Sequence, residues 1–449
     1  MSMEVQTLFT AALGLKAPWE VVEVALDTGS NRIDFQVGCT GKRLACPVCD
    51  AQDQRIHDRL ERTWRHLDFF QYEAWLHAQV PRVACDACGK TTQVQVPWAR
   101  PGSGFTLLFE AFSISLCQKM PVAQAAAQLR TGSAPLWRGL NYHVKKARET
   151  TSMAGVEQIG VDETSAKKGH EYITVVHDLP GKRLLFVTPG RTNETVAAFK
   201  ADFSAHGGNP EEIKHVCMDM SAAYIKGVTE QLPKAQISFD RFHVIAMAND
   251  ALNEVRKTEL RVNGREVRQA LGADRKKDIK ALYWAVQKDP AKWNEKQMNI
   301  MYFLQRSNLK TARAWRLKEA LRDTYRTAVE TNSAEKAESM LKGWISWARR
   351  SRLEPFKKVA TSLREKLPAI IRGMLDGRSN AYVEAMNGML QQAKVAARGF
   401  RNVNNFITIA YLRMAKLVDL PTTPFLPAMQ RRACVHRYVG GRQVPHETS

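Results

Sequence analysis

The chain is 449 residues long and carries 66 Lys and Arg against 45 Asp and Glu, a formal net charge of +21. Such an excess points to a polyanionic partner, most simply nucleic acid, and no basic amphipathic anchor stands out to favour a membrane surface instead. No apolar stretch approaches the roughly eighteen residues that span a bilayer, and Met1-Ser2-Met3-Glu4-Val5 has neither the charged start nor the apolar core of a signal peptide; a bacterial cytoplasmic, nucleoid-associated protein with no membrane partner is expected.

The length calls for roughly two to four domains. Residues 1 to about 35 read as a short helix at 7–15 and a strand at 20–26. Two CxxC knuckles follow, Cys46-Pro47-Val48-Cys49 and Cys85-Asp86-Ala87-Cys88. Thiolates paired in this way are zinc ligands, and two such pairs can fold back to make one tetrahedral site. Cys39, His57 and His66 are possible substitute ligands and, more simply, ordinary hairpin residues. The stretch 64–76 between the knuckles reads as strands. The Zn²⁺ is expected to be structural, stabilising a module over residues 1–100 that is too small to hold together by its own core.

From Phe105 the pattern turns helical, with Phe105, Leu108, Phe109, Phe112, Ile114 and Leu116 as an apolar face. Two short helices, 120–129 and 135–144, flank the turn Thr131-Gly132-Ser133-Ala134. This suits a helix-turn-helix within 101–150 whose second helix enters a major groove; Arg138, Lys145 and Lys146 are its candidate DNA contacts.

Residues 151–243 carry apolar runs at 159–163, 172–177, 184–188, 215–219 and 236–240, with helices fitting 194–204 and 222–231. Runs of this length suit buried strands. Three strands followed by alternating helix and strand give an α/β core, with Gly169 and Pro180-Gly181 as hairpin turns. Residues 244–376 are helical and basic almost throughout, and Trp284, Trp293, Trp315, Trp344 and Trp347 read chiefly as core. A further helical segment occupies 377–420, and 421–449 is a basic tail with Arg431, Arg432, Arg437 and Arg442.

Four acids stand out within this plan. Asp219 and Asp240 each end an apolar run, Asp162 lies in another, and Glu384 arrives from far downstream. In open α/β sheets functional side chains gather beyond the carboxyl ends of strands, and converging carboxylates suit hard divalent cations. Any one of them alone is also explained by the turn preference of Asp; the combination is what singles them out. Glu163 follows Asp162 along its strand and so points to the opposite face. On the helix of Glu384, Asn380, Asn387 and Gln391 lie at i−4, i+3 and i+7 and share its face, where they can position DNA.

Gly160-Val161-Asp162-Glu163-Thr164-Ser165 with Lys167-Lys168-Gly169-His170, Met218-Asp219-Met220, Phe239-Asp240-Arg241-Phe242-His243, Ser379-Asn380 ahead of Glu384 and Asn387, and Ala397-Arg398-Gly399-Phe400-Arg401-Asn402 together resemble the bacterial insertion-sequence transposases of the ISL-three family, over nearly the whole chain. One departure is Ala385, where the family commonly has Gly; inside a helix that costs nothing structurally. The resemblance implies a multidomain α+β protein: an N-terminal zinc ribbon-like module, a helix-turn-helix, and an RNase H-like α/β catalytic core (151–243 and 377–420) interrupted by an all-helical insertion (244–376). It implies a DDE triad of Asp162, Asp219 and Glu384, with Asp240 and His243 as an Asp-x-x-His element beside it and Asn380 and Asn387 supporting it. Arg398 and Arg401 of the last motif join the candidate DNA contacts.

The function so implied is a DNA transposase that binds terminal inverted repeats, cleaves at element ends and joins them to target DNA, as a homodimer on paired ends. Three carboxylates would hold two Mg²⁺ (or Mn²⁺) ions for an in-line displacement. The rivals are an RNase H-like nuclease without strand transfer and a non-catalytic zinc and helix-turn-helix regulator, which has no need of all three acids. Metals about 3.5–4 Å apart, bound at about 2.0–2.1 Å, require the three carboxylates within roughly 8 Å of one another. Asp162 and Asp219 should then lie on neighbouring strands, Glu384 on a helix beside them, and Asp240 close but outside.

Overall fold

The structure, a computed structural model, describes residues 4–167, 171–272, 276–375 and 381–422. They divide into two units, Met1–Thr151 with Ala393–Ser449, and Ser152–Gln392. The first unit opens on α1 (Val5–Ala12), followed by β1 (Trp19–Asp27), β2 (Arg32–Cys39), β3 (Arg43–Leu44), β4 (Gln54–Arg65), β5 (Glu73–Ala84) and β6 (Thr91–Gln93). These strands form one sheet in the order β1-β2-β5-β4-β3, with β6 added to β5. β2 runs parallel to β5, and the other pairs are antiparallel. β2 is an element not expected from the sequence, although Ile33, Phe35 and Val37 alternate at strand period and are buried.

The sheet corrects a second expectation. The module does have a core of its own: Trp19, Phe35, Trp64, Leu76, Val80 and Val83 are all buried in one cluster. Trp98 meets Trp19 and Trp64 edge-to-face, with centroids 4.9 and 5.4 Å apart. Stabilisation by metal is therefore confined to the knuckles.

Three helices follow, α2 (Leu107–Lys119), α3 (Val122–Gln128) and α4 (Ser133–Glu149). Thr106 caps α2 by accepting from the Phe109 amide at 3.3 Å. Arg130, in the left-handed conformation at φ +51°, turns the chain between α3 and α4. It also donates to the Gln71 carbonyl at 3.0 Å and pairs with Asp68, so the turn is tied to the sheet. α4 buries Leu136, Leu140, Val144 and Ala147, one face at helical spacing.

In the second unit, β7 (Gln158–Lys167), β8 (Glu171–Asp178) and β9 (Arg183–Pro189) form an antiparallel meander. α5 (Asn193–Ala205), β10 (His215–Met218), α6 (Ala222–Gln231) and β11 (Gln236–Phe239) follow. The strand order is β11-β10-β7-β8-β9, with β10 parallel to both of its neighbours. These elements coincide with the apolar runs to within a few residues; the hairpin glycine Gly169 lies outside the described residues.

Beyond β11, the described residues up to 375 run through α7 (Arg241–Ala270), α8 (Lys276–Gln287), α9 (Glu295–Arg306), α10 (Lys310–Thr331), α11 (Ala334–Arg350), α12 (Glu354–Glu365) and α13 (Leu367–Leu375). One buried cluster runs from Ile159, Val216 and Phe239 of the sheet to Leu252, Leu317, Leu341 and Phe356 of these helices. Trp344 is core, and its indole donates to the Leu317 carbonyl at 2.7 Å. Trp293 donates to the Ala285 carbonyl at 2.8 Å and packs near Trp315. Trp284 and Trp347 do not follow the core reading and are 55% and 42% exposed.

α13 lies directly on β11. Arg372 Nε donates to the Ile237 carbonyl at 2.9 Å, and a Cβ on Gly373 would stand 2.2 Å from the Phe239 carbonyl oxygen. Only glycine permits that approach. α14 (Ala381–Ala396) carries Glu384, and α15 (Val403–Met414) is the last described helix.

The sequence groups 403–417 with the preceding core segment. In the structure α15 packs on α4 and α2 of the first unit. Phe406, Ile409 and Ala410 are its buried face. Arg413 donates to the carbonyls of Cys117 and Met120 at 3.1 and 3.0 Å, and Thr408 donates to Asn141 Oδ1 at 2.6 Å. The helix thus satisfies carbonyls that the end of α2 leaves open.

Candidate active site and metal centre

Strand register places three of the four acids. Met218 is paired with Val161 on one side and with Phe239 on the other. Asp162, Asp219 and Asp240 are the next residues, so they stand side by side, just past the ends of β10 and β11 and midway along the longer β7. Neighbouring strands are about 4.8 Å apart. Each carboxylate is oriented by a backbone amide: Asp162 Oδ1 accepts from Glu163 at 2.7 Å, Asp219 Oδ1 from Ser221 at 3.0 Å, and Asp240 Oδ1 from Phe242 at 3.2 Å. Asp240 thereby caps α7.

α14 is fastened to β7 through the face that carries Glu384. Asn387 Nδ2 donates to Asp162 Oδ2 at 2.7 Å, and Gln391 Nε2 donates to Thr164 Oγ1 at 2.6 Å and to the Ser165 carbonyl at 3.0 Å. These two amides hold the strand and its acid. His177 on β8, opposite Gly160, is fully buried and meets the Tyr382 ring edge-on at 5.7 Å, which seats the first turn of α14. Burial pushes that imidazole down to about 4, so it is neutral. Neither His177 nor its contact is signalled by sequence spacing.

The acids act on one another. Burial pushes Asp162 up to about 6; the Glu163 amide and His243 oppose this, and the Asp219 charge adds to it. Glu384 is raised by burial and then by the Asp240 carboxylate beside it; His243 opposes and Asp162 adds. His243, on the first turn of α7, therefore serves both acids. Asp240 is 2% exposed. Glu163 turns away and pairs with Arg191 at 3.2 Å. Asn380 lies outside the described residues. Hard oxygen ligands that repel one another are the donor set a divalent cation takes; among the described residues they stand further apart than the knuckle cysteines, the one group already drawn together closely enough to hold an ion.

The four knuckle cysteines form the second centre. The sulfurs of Cys46, Cys49, Cys85 and Cys88 all lie within 4.8 Å of one another, with Cys46–Cys88 at 3.8 Å and Cys49–Cys85 at 3.5 Å. Tetrahedral Zn–S bonds of about 2.3 Å put sulfurs about 3.8 Å apart, so the set fits a structural zinc. The two turns repeat the same wiring. Cys46 accepts from Asp50 and donates to Ala51; Cys85 accepts from Gly89 and donates to Lys90. Asp50 and Gly89 are both left-handed, at φ +55° and +65°. Amides of Val48 and Cys49 draw the Cys46 thiol down to about 7. Cys39, His57 and His66 are not part of this cluster; His66 Nδ1 meets Thr106 Oγ1 at 2.9 Å instead.

Cys85→Ser is expected to release about one equivalent of zinc, while the circular-dichroism signal of the sheet persists because its core is separate. Native protein that contains no zinc on metal analysis would sink the assignment.

Arg138, Lys145 and Lys146 of α4 and Arg398 and Arg401 after α14 are exposed, as DNA contacts require. A residue that sequence reasoning missed lies beneath α4. Glu110 is 1% exposed and receives Arg100 Nε at 2.9 Å, Ser103 Oγ at 2.7 Å and His143 Nε2 at 2.7 Å. In the second unit Lys342, Arg349, Arg350 and Arg364 line one groove. Among the described residues no helix is long and apolar enough to cross a membrane.

Comparison with known proteins converges on one family. A profile described as Transposase, for the DDE transposases of family ISL3, matches residues 159–410. A zinc finger of transposase IS204/IS1001/IS1096/IS1165 matches residues 42–88, and a helix-turn-helix domain of transposase family ISL3 matches residues 94–144. The transposase for insertion sequence element IS1557 of Mycobacterium tuberculosis is 30% identical over 387 residues, 81% of this chain and 83% of the relative. The transposase for insertion sequence element IS1001 of Bordetella parapertussis is 26% identical over 404 residues, 86% of this chain and 92% of the relative.

Proposed function

Because this chain belongs to the transposases of the ISL3 family, we propose that Asp162, Asp219 and Glu384 form the DDE centre of an RNase H-like core that cuts DNA at terminal inverted repeats and joins the ends to target DNA. The observation that carries the reading is the register that sets Asp162 of β7 beside Asp219 at the end of the parallel β10, together with the α14 clamp, Asn387 on Asp162. The order β9-β8-β7-β10-β11, with only β8 running against the rest of that path, supports the core, and α7–α13 are its all-helical insertion.

Bound at these carboxylates, two Mg²⁺ ions supply Lewis-acid activation of the attacking oxygen and stabilisation of the leaving one. The chain's own residues set the stage. Asn387 and the Glu163 amide fix both oxygens of Asp162; His243 moderates the repulsion between Asp162 and Glu384. Asp240, the like charge that raises Glu384, stands beside it outside the triad. α4 reads the repeat with Arg138, Lys145 and Lys146, and the groove of Lys342, Arg349, Arg350 and Arg364 follows the phosphate backbone. The protein acts as a homodimer, one copy per paired end.

The test is nicking and strand transfer on a labelled repeat duplex in Mg²⁺; absence of both refutes the reading. A residue-level test follows from the clamp. Asn387→Ala is expected to raise the Mg²⁺ concentration for half-maximal cleavage by about 10–100-fold. An unchanged Mg²⁺ titration removes Asn387 from the site.

A further inference from the structure

A cavity of about 360 Å³ opens beside the acids, lined by α7, α10, the end of α8 and Glu384. That volume falls within the range of pockets that enclose a small ligand. Its lining combines the acids Asp240 and Glu384, the apolar Phe242 and Ile245, and the amides of Asn249 and Gln287.

Two of the three cations lining it are already matched. Lys318, fully buried, donates to the Val286 carbonyl and meets Glu319, both at 2.6 Å. Arg322 pairs with Asp289 at 2.9 Å and Glu319 at 3.3 Å. Arg241 lies over the Tyr325 ring at 5.7 Å. A phosphate would find no uncompensated charge at Lys318 or Arg322. What remains unmatched is one acceptor: Asn249 Oδ1 is buried without a partner, while Asp240 is engaged by Glu384 beside it. Phe242, by contrast, is a large ring that lines the cavity and is 59% exposed. The pocket therefore suits a flat, neutral group that carries N–H donors and can stack.

We propose that this cavity receives an unpaired nucleobase from the nucleotide that flanks the phosphate addressed by the acids. Its ring stacks on Phe242, and its exocyclic amine donates to Asn249 Oδ1. The proposal rests on the DNA-cleaving reading above. A base enters such a pocket only after leaving its duplex, and the pocket offsets the cost of unstacking.

The experiment uses the full chain and repeat duplexes with 2-aminopurine at the flanking position, first without metal. The native protein is expected to change the 2-aminopurine emission on binding; Phe242→Ala, which alters an exposed side chain, should bind equally and leave emission unchanged. In Mg²⁺, Phe242→Ala and Asn249→Ala should cut a fully paired end about tenfold more slowly than the native chain. That deficit should shrink to about twofold when the flanking base pair is mismatched in advance. Equal deficits on paired and mismatched ends, or no 2-aminopurine response with the native protein, overturn the proposal. Failure of the cleavage reading is separately visible, as a native protein that gives the emission change and cuts neither end.

Discussion

Asp162→Asn is expected to lower end cleavage by on the order of 10³-fold or more while binding to the terminal repeat stays within about twofold of the native chain. The substitution keeps the shape of the side chain and removes its charge. Asp162 is 8% exposed, in a strand paired on both sides, and both of its oxygens are already held by N–H donors. Asn therefore fits, with one of those donors facing an amide group instead of an oxygen. A metal site that loses a charged ligand forfeits several kcal/mol of transition-state stabilisation, and each 1.36 kcal/mol is about tenfold in rate. On the proposed function, affinity for the repeat comes from Lys and Arg contacts to phosphates, which this change leaves alone. Gel shift and nicking on one labelled duplex read both quantities. Native-rate cleavage by the variant in Mg²⁺ would take Asp162 out of the mechanism.

The second large effect concerns stability. Glu110→Ala is expected to destabilise the first unit by about 3–5 kcal/mol, because it leaves the half-buried Arg100 and the buried His143 without the carboxylate that both hydrogen-bond. Burial alone would push the Glu110 carboxyl up; the hydrogen bonds from His143, Ser103 and Arg100 outweigh it and hold the group below the usual carboxylate range. A depressed folded pKa gives stability that is present above the unfolded value of about 4.3 and is lost as pH falls through the folded value. Urea unfolding should show the native chain weakening below about pH 4, with Glu110→Ala weak at neutral pH and flatter through that window. Coincident unfolding curves for the two proteins at pH 7 would show that the buried cluster contributes nothing.

The strands of the second unit were legible in the sequence because each is buried on both faces and bounded by polar turns. A short apolar run such as Val216-Cys217-Met218, closed by an aspartate, fits a buried parallel strand and little else. The knuckles were legible because thiolate spacing is itself the geometry of the site. β2 escaped although Ile33, Phe35 and Val37 alternate, since three residues make a weak periodic signal. Glu110 and His177 were not legible at all: a buried charge or imidazole is identified by partners 33 residues away or on another element, and spacing says nothing of either. Asn387 and Gln391 were placed on the right face by helical period. That they grip β7, rather than reach for DNA, depends on the height at which α14 crosses the strand.

α15 imposes an order in time. The helix-turn-helix is complete at Glu149 in sequence, yet the helix that packs on α2 and α4 begins at Val403. A ribosome adding about 5–20 residues per second needs roughly 13–50 seconds to cross that interval. Until then the emerging chain carries an unfinished DNA-reading head, with the apolar surface of α2 and α4 uncovered. A polypeptide interrupted anywhere between α4 and α15 would lack a finished helix-turn-helix unit. On the proposed function, translation thereby couples possession of the DNA to possession of all three acids.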